Sequence, residues 1–153
     1  MLNVFATLFF IIILNFCSSQ NAPDHYVFIA RMTCRIPEKH NFRYRIQYFD
    51  ANRFTADTKA TRLDNIGNGD KGESMDNNYG ILFGNAFYDK TYELYALVLH
   101  DCTKSTTKMR TIRVELDDYS VPGREWIKRF HLDITERGEQ VNAQEIPHPK
   151  FNF

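Results

Sequence analysis

An all-β sandwich is the fold this sequence predicts, and three observations carry the prediction. Residues 94–99, LYALVL, form an unbroken apolar and aromatic run. The run is too short for a buried helix and rich in β-formers, so it reads as a strand covered on both faces. Around it, residues 26–36, 42–48, 109–116 and 126–134 alternate apolar and polar side chains at the period of a half-buried strand. No stretch of helical length keeps an apolar stripe at helical spacing. About seven short strands separated by turn-rich segments point to two packed sheets.

The elements follow in chain order. Residues 1–19 carry no charged side chain, and 4–16 are nearly all apolar. That core falls short of the roughly 20 residues that span a bilayer and fits a secretory signal peptide. Cys17-Ser18-Ser19 supplies small residues for a cut before Gln20, and the free amino terminus replaces the absent basic n-region. A retained anchor is the alternative, disfavoured by the short apolar run. In the first strand, Tyr26, Phe28, Ala30, Met32 and Cys34 share one face, with Arg31, Thr33 and Arg35 on the other, until Pro37 stops the strand. In the second, Phe42, Tyr44, Ile46 and Tyr48 alternate with Arg43, Arg45 and Gln47. The polar stretch 52–78 has Gly67, Gly69 and Gly72 among Asp and Asn, which demands turns and leaves room for short edge strands near 55–63 and 80–83. Ile112, Val114 and Leu116 then face inward, Val121-Pro122-Gly123 makes a turn, and Phe130, Leu132 and Ile134 share a face of the last strand. The expected organisation is a signal peptide over 1–19, one domain over 20–139 and a flexible tail over 140–153, where Pro147 and Pro149 bracket His148.

The 19 basic and 19 acidic side chains balance, so no global field draws the chain to nucleic acid. With Cys17 removed in the leader, Cys34 and Cys102 remain, and two thiols in an oxidising compartment are expected to pair. A metal site is the sharper reading of His100 and Cys102. However, structural zinc needs four clustered ligands, and His25, His40, His131 and His148 are scattered, so neither metal nor cofactor is expected.

Three further groups could carry function. A nucleophilic Cys102 beside His100 and Asp101 would make an enzyme, but neighbouring strand residues point to opposite faces, so Asp101 cannot orient His100. His100 reads better as a strand-end residue bonded to a loop backbone. Asp70, Glu73, Asp76, Asn77 and Asn78 offer oxygen ligands for calcium, yet their spacing fits no EF-hand and is ordinary turn chemistry. Arg31, Arg35, Arg43 and Arg45 are the binding candidates: all four occupy the outward phase of two strands expected to lie near each other. Such a stripe suits anionic lipid headgroups, sulfated glycans or an acidic protein patch, and its bland reading is a solvated sheet face.

The apolar strand ending in Leu99-His100-Asp101-Cys102, the polar turn after it and the alternating MRTIRVEL strand resemble the nematode transthyretin-like family. The first strand closing on Cys34 and the aromatic second strand closing on Tyr48-Phe49-Asp50 fit the same order, so the resemblance spans about 26–139. Many relatives have further cysteines and a tidy Asp-Gly-x-Phe turn midway; here Asp76-Asn77-Asn78-Tyr79-Gly80 stands in its place. The resemblance implies a secreted, prealbumin-like β-sandwich of seven to eight strands, of Greek-key type, acting outside cells or at their surface. Related hydroxyisourate hydrolases use two His, an Arg and a C-terminal Tyr-Arg-Gly-Ser, whereas this chain closes on Pro149-Lys150-Phe151-Asn152-Phe153. The expected function is therefore non-catalytic extracellular binding of a partner protein, an anionic surface or a small apolar ligand. The alternatives are a hydrolase of that kind and a structural matrix or cell-surface component.

Overall fold

Strict alternation in the first strand sets the architecture. β1 (Asp24–Thr33) buries Tyr26, Phe28, Ala30 and Met32 on one phase, so that side of the strand must lie against a second layer. In the computed structural model, which describes residues 23–52, 56–84, 91–105, 108–120 and 125–141, that layer is a second sheet. Nine strands are described: β1, β2 (Arg43–Asp50), β3 (Thr58–Lys59), β4 (Asn65–Asn68), β5 (Glu73–Leu82), β6 (Thr91–His100), β7 (Met109–Ser120), β8 (Glu125–Asp133) and β9 (Glu139–Val141). No α-helix occurs among the described residues, only a 3-10 turn at Pro37–Lys39.

The smaller sheet has the order β5-β1-β8, with β1 antiparallel to β5 and parallel to β8. The larger runs β3-β2-β6-β7-β9, with β4 also paired to β2. Successive strands repeatedly change sheet: from β1 to β2, from β4 to β5, from β5 to β6, from β7 to β8 and from β8 to β9. The inner faces meet in one aromatic core. The rings of Phe28 on β1 and Tyr48 on β2 stack with centroids 4.1 Å apart, and Phe130 on β8 meets Tyr48 edge-on at 6.4 Å. Tyr26 packs edge-on against Tyr92 of β6 and Tyr119 of β7. The run 94–99 is covered on both faces as expected: Leu94, Ala96 and Val98 face the core, while Tyr95 and Leu99 are buried under side chains of the outer face.

One element departs from the sequence reading. The segment expected to be mostly turns, with a short strand near 80–83, contains a ten-residue strand, β5, which begins at Glu73 and pairs with β1 along its whole length. Its sequence, ESMDNNYGIL, has poor intrinsic β preference, and the ladder to β1 overrides it. The inward polar residue is satisfied: Asp76 accepts hydrogen bonds from Tyr48 Oη at 3.2 Å and Asn65 Nδ2 at 2.8 Å. Gly80 is required where the loop crosses β5. A Cβ there would sit 2.7 Å from the Ala60 carbonyl oxygen, which accepts the N–H of Ile81 at 3.0 Å. β4 and β5 are joined by a tight turn at Lys71-Gly72, both with positive φ (50° and 80°), and the N–H groups of Asp70 and Glu73 donate to each other's carbonyls. At the other end, β9 extends the larger sheet to Val141, two residues past the boundary expected at 139. The proposed leader, Cys17 and most of the proposed tail lie outside the described residues.

Candidate functional site

His100, Asp101 and Cys102 each tie the end of β6 to a different part of the chain. His100 closes β6 opposite Tyr44 and is fully buried. Its Nε2 lies 3.0 Å from the Arg137 carbonyl oxygen, and its Nδ1 accepts the Cys102 N–H at 3.2 Å. Those partners fix the neutral imidazole with the proton on Nε2. Burial pushes its pKa down from 6.5 to about 4, a shift that Arg110 assists and that the Arg137 carbonyl, Asp101 and Glu136 oppose. Asp101 turns the other way and clamps the start of β2. Its carboxylate accepts the Arg43 backbone N–H at 2.7 Å and Nε at 2.9 Å, and its own N–H donates to the Arg43 carbonyl at 3.1 Å. Cys102 is joined to Cys34, just beyond β1, with Cα atoms 5.9 Å apart. The Cys102 carbonyl accepts from Glu136 N–H, and Cys34 N–H donates to the Gly72 carbonyl. The segment is a pin through one end of the sandwich: both ring nitrogens, the carboxylate and the sulfur are committed to holding strands and turns.

The four arginines do not form one stripe. They share an outward parity, but β1 and β2 belong to different sheets, whose outer faces point away from each other. Arg31 lies on the smaller sheet and pairs with Glu73 of β5 at 2.7 Å. Arg35, past the end of β1, pairs with Asp133 at 3.1 Å. Arg43 is held by Asp101, as above. Arg45 is half-buried on the larger sheet, opposite Leu99 of β6 and Ile66 of β4, and its Nε is enclosed without a hydrogen-bond partner. Exposed side chains of Arg31, Arg35 and Arg43 thus already face carboxylates, which lowers their value as a free anion site.

The acidic segment is likewise divided. Glu73 and Asn77 point outward from β5 while Asp76 is buried and Asn78 half-buried on the inward phase, and Asp70 sits in the turn. Among the described residues no group of three His, Cys, Asp or Glu side chains converges as a metal site would require. A half-open hollow of about 360 Å³ beside the disulfide is lined by Ile36, Glu38, Lys39, Thr103 and Lys104, so three charged side chains stand in its walls.

The outer faces of the two sheets differ in kind. On the larger sheet polar groups cover the aromatic side chains of the outer face, and Ile66 of β4 is left 41 % exposed. The Arg113 guanidinium lies 3.6 Å from the centre of the Tyr95 ring, Phe49 stacks on the same ring at 5.3 Å, and Tyr95 Oη donates to Asp57 at 2.6 Å. On the smaller sheet the cover is partial: His25 stacks on the Tyr79 ring at 5.7 Å and Val27 and Ile29 are half-buried, while Ile81, Phe83 and Ile127 stay exposed. The register aligns Tyr79 of β5, Val27 of β1 and Ile127 of β8 in one row across all three strands. Ile81 lies beside Tyr79, Ile29 beside Val27, and Phe83 projects just past the end of β5. Tyr79 is 51 % exposed and Ile127 56 %, and the Tyr79 hydroxyl bonds Nδ1 of His25. An apolar patch of this kind, ringed by Arg31, Arg129, Glu73 and Glu125, is the feature that sequence reasoning missed. Its signal was present: Tyr26-Val27-Phe28-Ile29-Ala30 is apolar on both phases, and the second phase was passed over in favour of the arginines that follow it.

No family model, no curated protein and no solved structure matches this chain. Among the described residues no helix is long and apolar enough to cross a membrane.

Proposed function

We propose that this chain is a secreted, transthyretin-like binding protein that works without catalysis, by docking a partner protein on the outer face of β5-β1-β8. The observation that carries the reading is the row Tyr79–Val27–Ile127, whose two flanking side chains are about half exposed and adjoin exposed Ile81 and Phe83. Soluble domains rarely leave contiguous large apolar side chains in water, and such faces mark interaction sites. The Cys34–Cys102 bridge supports an extracellular location, since disulfides persist in oxidising compartments. The repeated sheet changes, with β1 between an antiparallel and a parallel neighbour, support a Greek-key sandwich of the prealbumin type. The engagement of His100, Asp101 and Cys102 in the fold supports binding rather than chemistry at that segment. A protein is favoured over a small apolar ligand because the apolar surface is a sheet face and the described hollow is half open with charged side chains in its walls.

The test is retention from native extracellular fluid, with the bound material identified by mass spectrometry. Wild type should retain a protein that the double variant Tyr79→Ser, Ile81→Ser fails to retain. Loss instead in Arg43→Ser, Arg45→Ser, with the apolar variant unaffected, would favour an anionic ligand on the opposite face and overturn this reading.

A further inference from the structure

Among the described residues β8 pairs with β1 alone, so its other edge presents unpaired backbone N–H and C=O groups. Among the described residues after β8, which end at Val141, none pairs along that edge; β9 joins β7 in the other sheet. The consequence shows in burial. The inward side chains Trp126, Lys128 and Phe130 are only half-covered, while the corresponding positions of β1 are fully buried. A nine-residue edge strand pairs unless a device prevents it, and the one inward charge here, Lys128, is neutralised by Asp117.

We propose that a second copy of this chain occupies the edge, with β8 running antiparallel to its own symmetry mate about a two-fold axis at Ile127. The argument is charge register. In that alignment Glu125 lies opposite Arg129 of the second copy, the reciprocal pair forms across the axis, and Ile127 meets itself on the outer face. On the inner face Trp126 lies opposite Lys128, which already pairs with Asp117 and brings its aliphatic stem to the indole. Shifting the axis by one residue sets Lys128 against itself. Shifting it by two sets Arg129 against itself and Glu125 against Asp133. An axis at His131 would oppose Arg129 to Asp133, but Asp133 is already held by Arg35 at 3.1 Å and no apolar pair forms at the centre. The Ile127 axis also makes the apolar rows of the two copies continuous, from Tyr79 of one to Tyr79 of the other. So short a ladder falls below the roughly 1,200 Å² of standard interfaces, in the size class of weak, transient contacts. The dimer does not depend on what the outer face binds.

Sedimentation equilibrium of the chain purified from a secreting host, from about 1 μM to about 1 mM, tests it. Wild type should show a reversible dimer. Glu125→Arg, an exposed change that sets like charges opposite each other, should weaken it about tenfold or more, and adding Arg129→Glu should restore it. Ile127→Cys should cross-link to its own copy under mild oxidation, a second readout that needs no charge change. A monomer throughout, or a dimer that the double swap fails to restore, overturns the proposal. So does a dimer indifferent to Glu125→Arg but lost in Tyr79→Ser, which would show face-to-face packing.

Discussion

The N–H of Cys102 donates to Nδ1 of His100 at 3.2 Å, so the disulfide-bonded residue fixes the tautomer of the histidine two places before it. The other ring nitrogen then has its proton free for the Arg137 carbonyl at 3.0 Å. One imidazole therefore couples the end of β6 to the turn that leads into β9, and it can accept the Cys102 N–H only while neutral.

That neutrality gives a pH dependence. His100 has a native pKa of about 4, below its ordinary 6.5. Above pH 6.5 folded and unfolded states are both neutral there and the group adds no slope. As pH falls from 6.5 toward 4 the unfolded chain takes up a proton that the folded chain refuses, so stability declines. At pH 5 the loss relative to pH 7.5 should be about 2 kcal/mol. Asp76, whose pKa is raised by burial, acts in the opposite sense, though only within the carboxylate range. Urea midpoints at the two pH values measure the difference; equal midpoints would contradict a neutral, buried His100.

Arg43 and Asp101 should respond unequally to truncation. The Arg43 side chain is 60 % exposed, so Arg43→Ala removes a largely solvated ion pair and should cost about 1 kcal/mol or less. Asp101→Ala also strips the acceptor from the Arg43 backbone N–H, a part-buried bond, and should cost about 2 kcal/mol or more. Arg43→Glu, by contrast, sets a second carboxylate against Asp101 and should destabilise the domain rather than merely change its surface charge. Denaturant unfolding of the three variants ranks them, and an Arg43→Ala loss equal to that of Asp101→Ala would show that the side-chain pair dominates the clamp.

The Cys34–Cys102 bridge spans 68 residues of sequence, and in the loop-entropy account a bridge of that span contributes about 4 kcal/mol. The double variant Cys34→Ala, Cys102→Ala should unfold at correspondingly lower denaturant, and non-reducing peptide mapping of the wild type should give this one linked pair. Two alkylatable thiols in the native chain would contradict the pairing.

The strands that announce themselves by alternation, β1, β2, β7 and β8, were legible because each has one face that must be buried, and β6 because its unbroken apolar run needs cover on both. β5 was not, because Asp76, Asn77 and Asn78 are turn residues by preference and become strand residues only when β1 supplies the ladder and Tyr48 and Asn65 satisfy Asp76. The arginines show a second limit. Parity tells which face of its own strand a residue occupies, but not which sheet that strand joins, so Arg31 and Arg43 share a phase and still point in opposite directions. The Cys34–Cys102 pairing was accessible from composition and compartment alone. The apolar outer face needed the register, since Tyr79, Val27 and Ile127 are distant in sequence and adjacent only once β5 and β8 flank β1.

The central claim is that the outer face of β5-β1-β8 is the binding surface, and titration of the retained partner against three forms of the chain tests it most directly. These are the wild type, Tyr79→Ser with Ile81→Ser on β5, and Arg43→Ser with Arg45→Ser on the opposite face, all held at concentrations below self-association. The two β5 residues are far from the β8 edge, so the readout is separate from dimerisation. The account predicts at least about a tenfold rise in Kd for the β5 variant, the loss expected when central interface side chains are truncated, and an unchanged Kd for the arginine variant. An unchanged Kd for a folded β5 variant would contradict it.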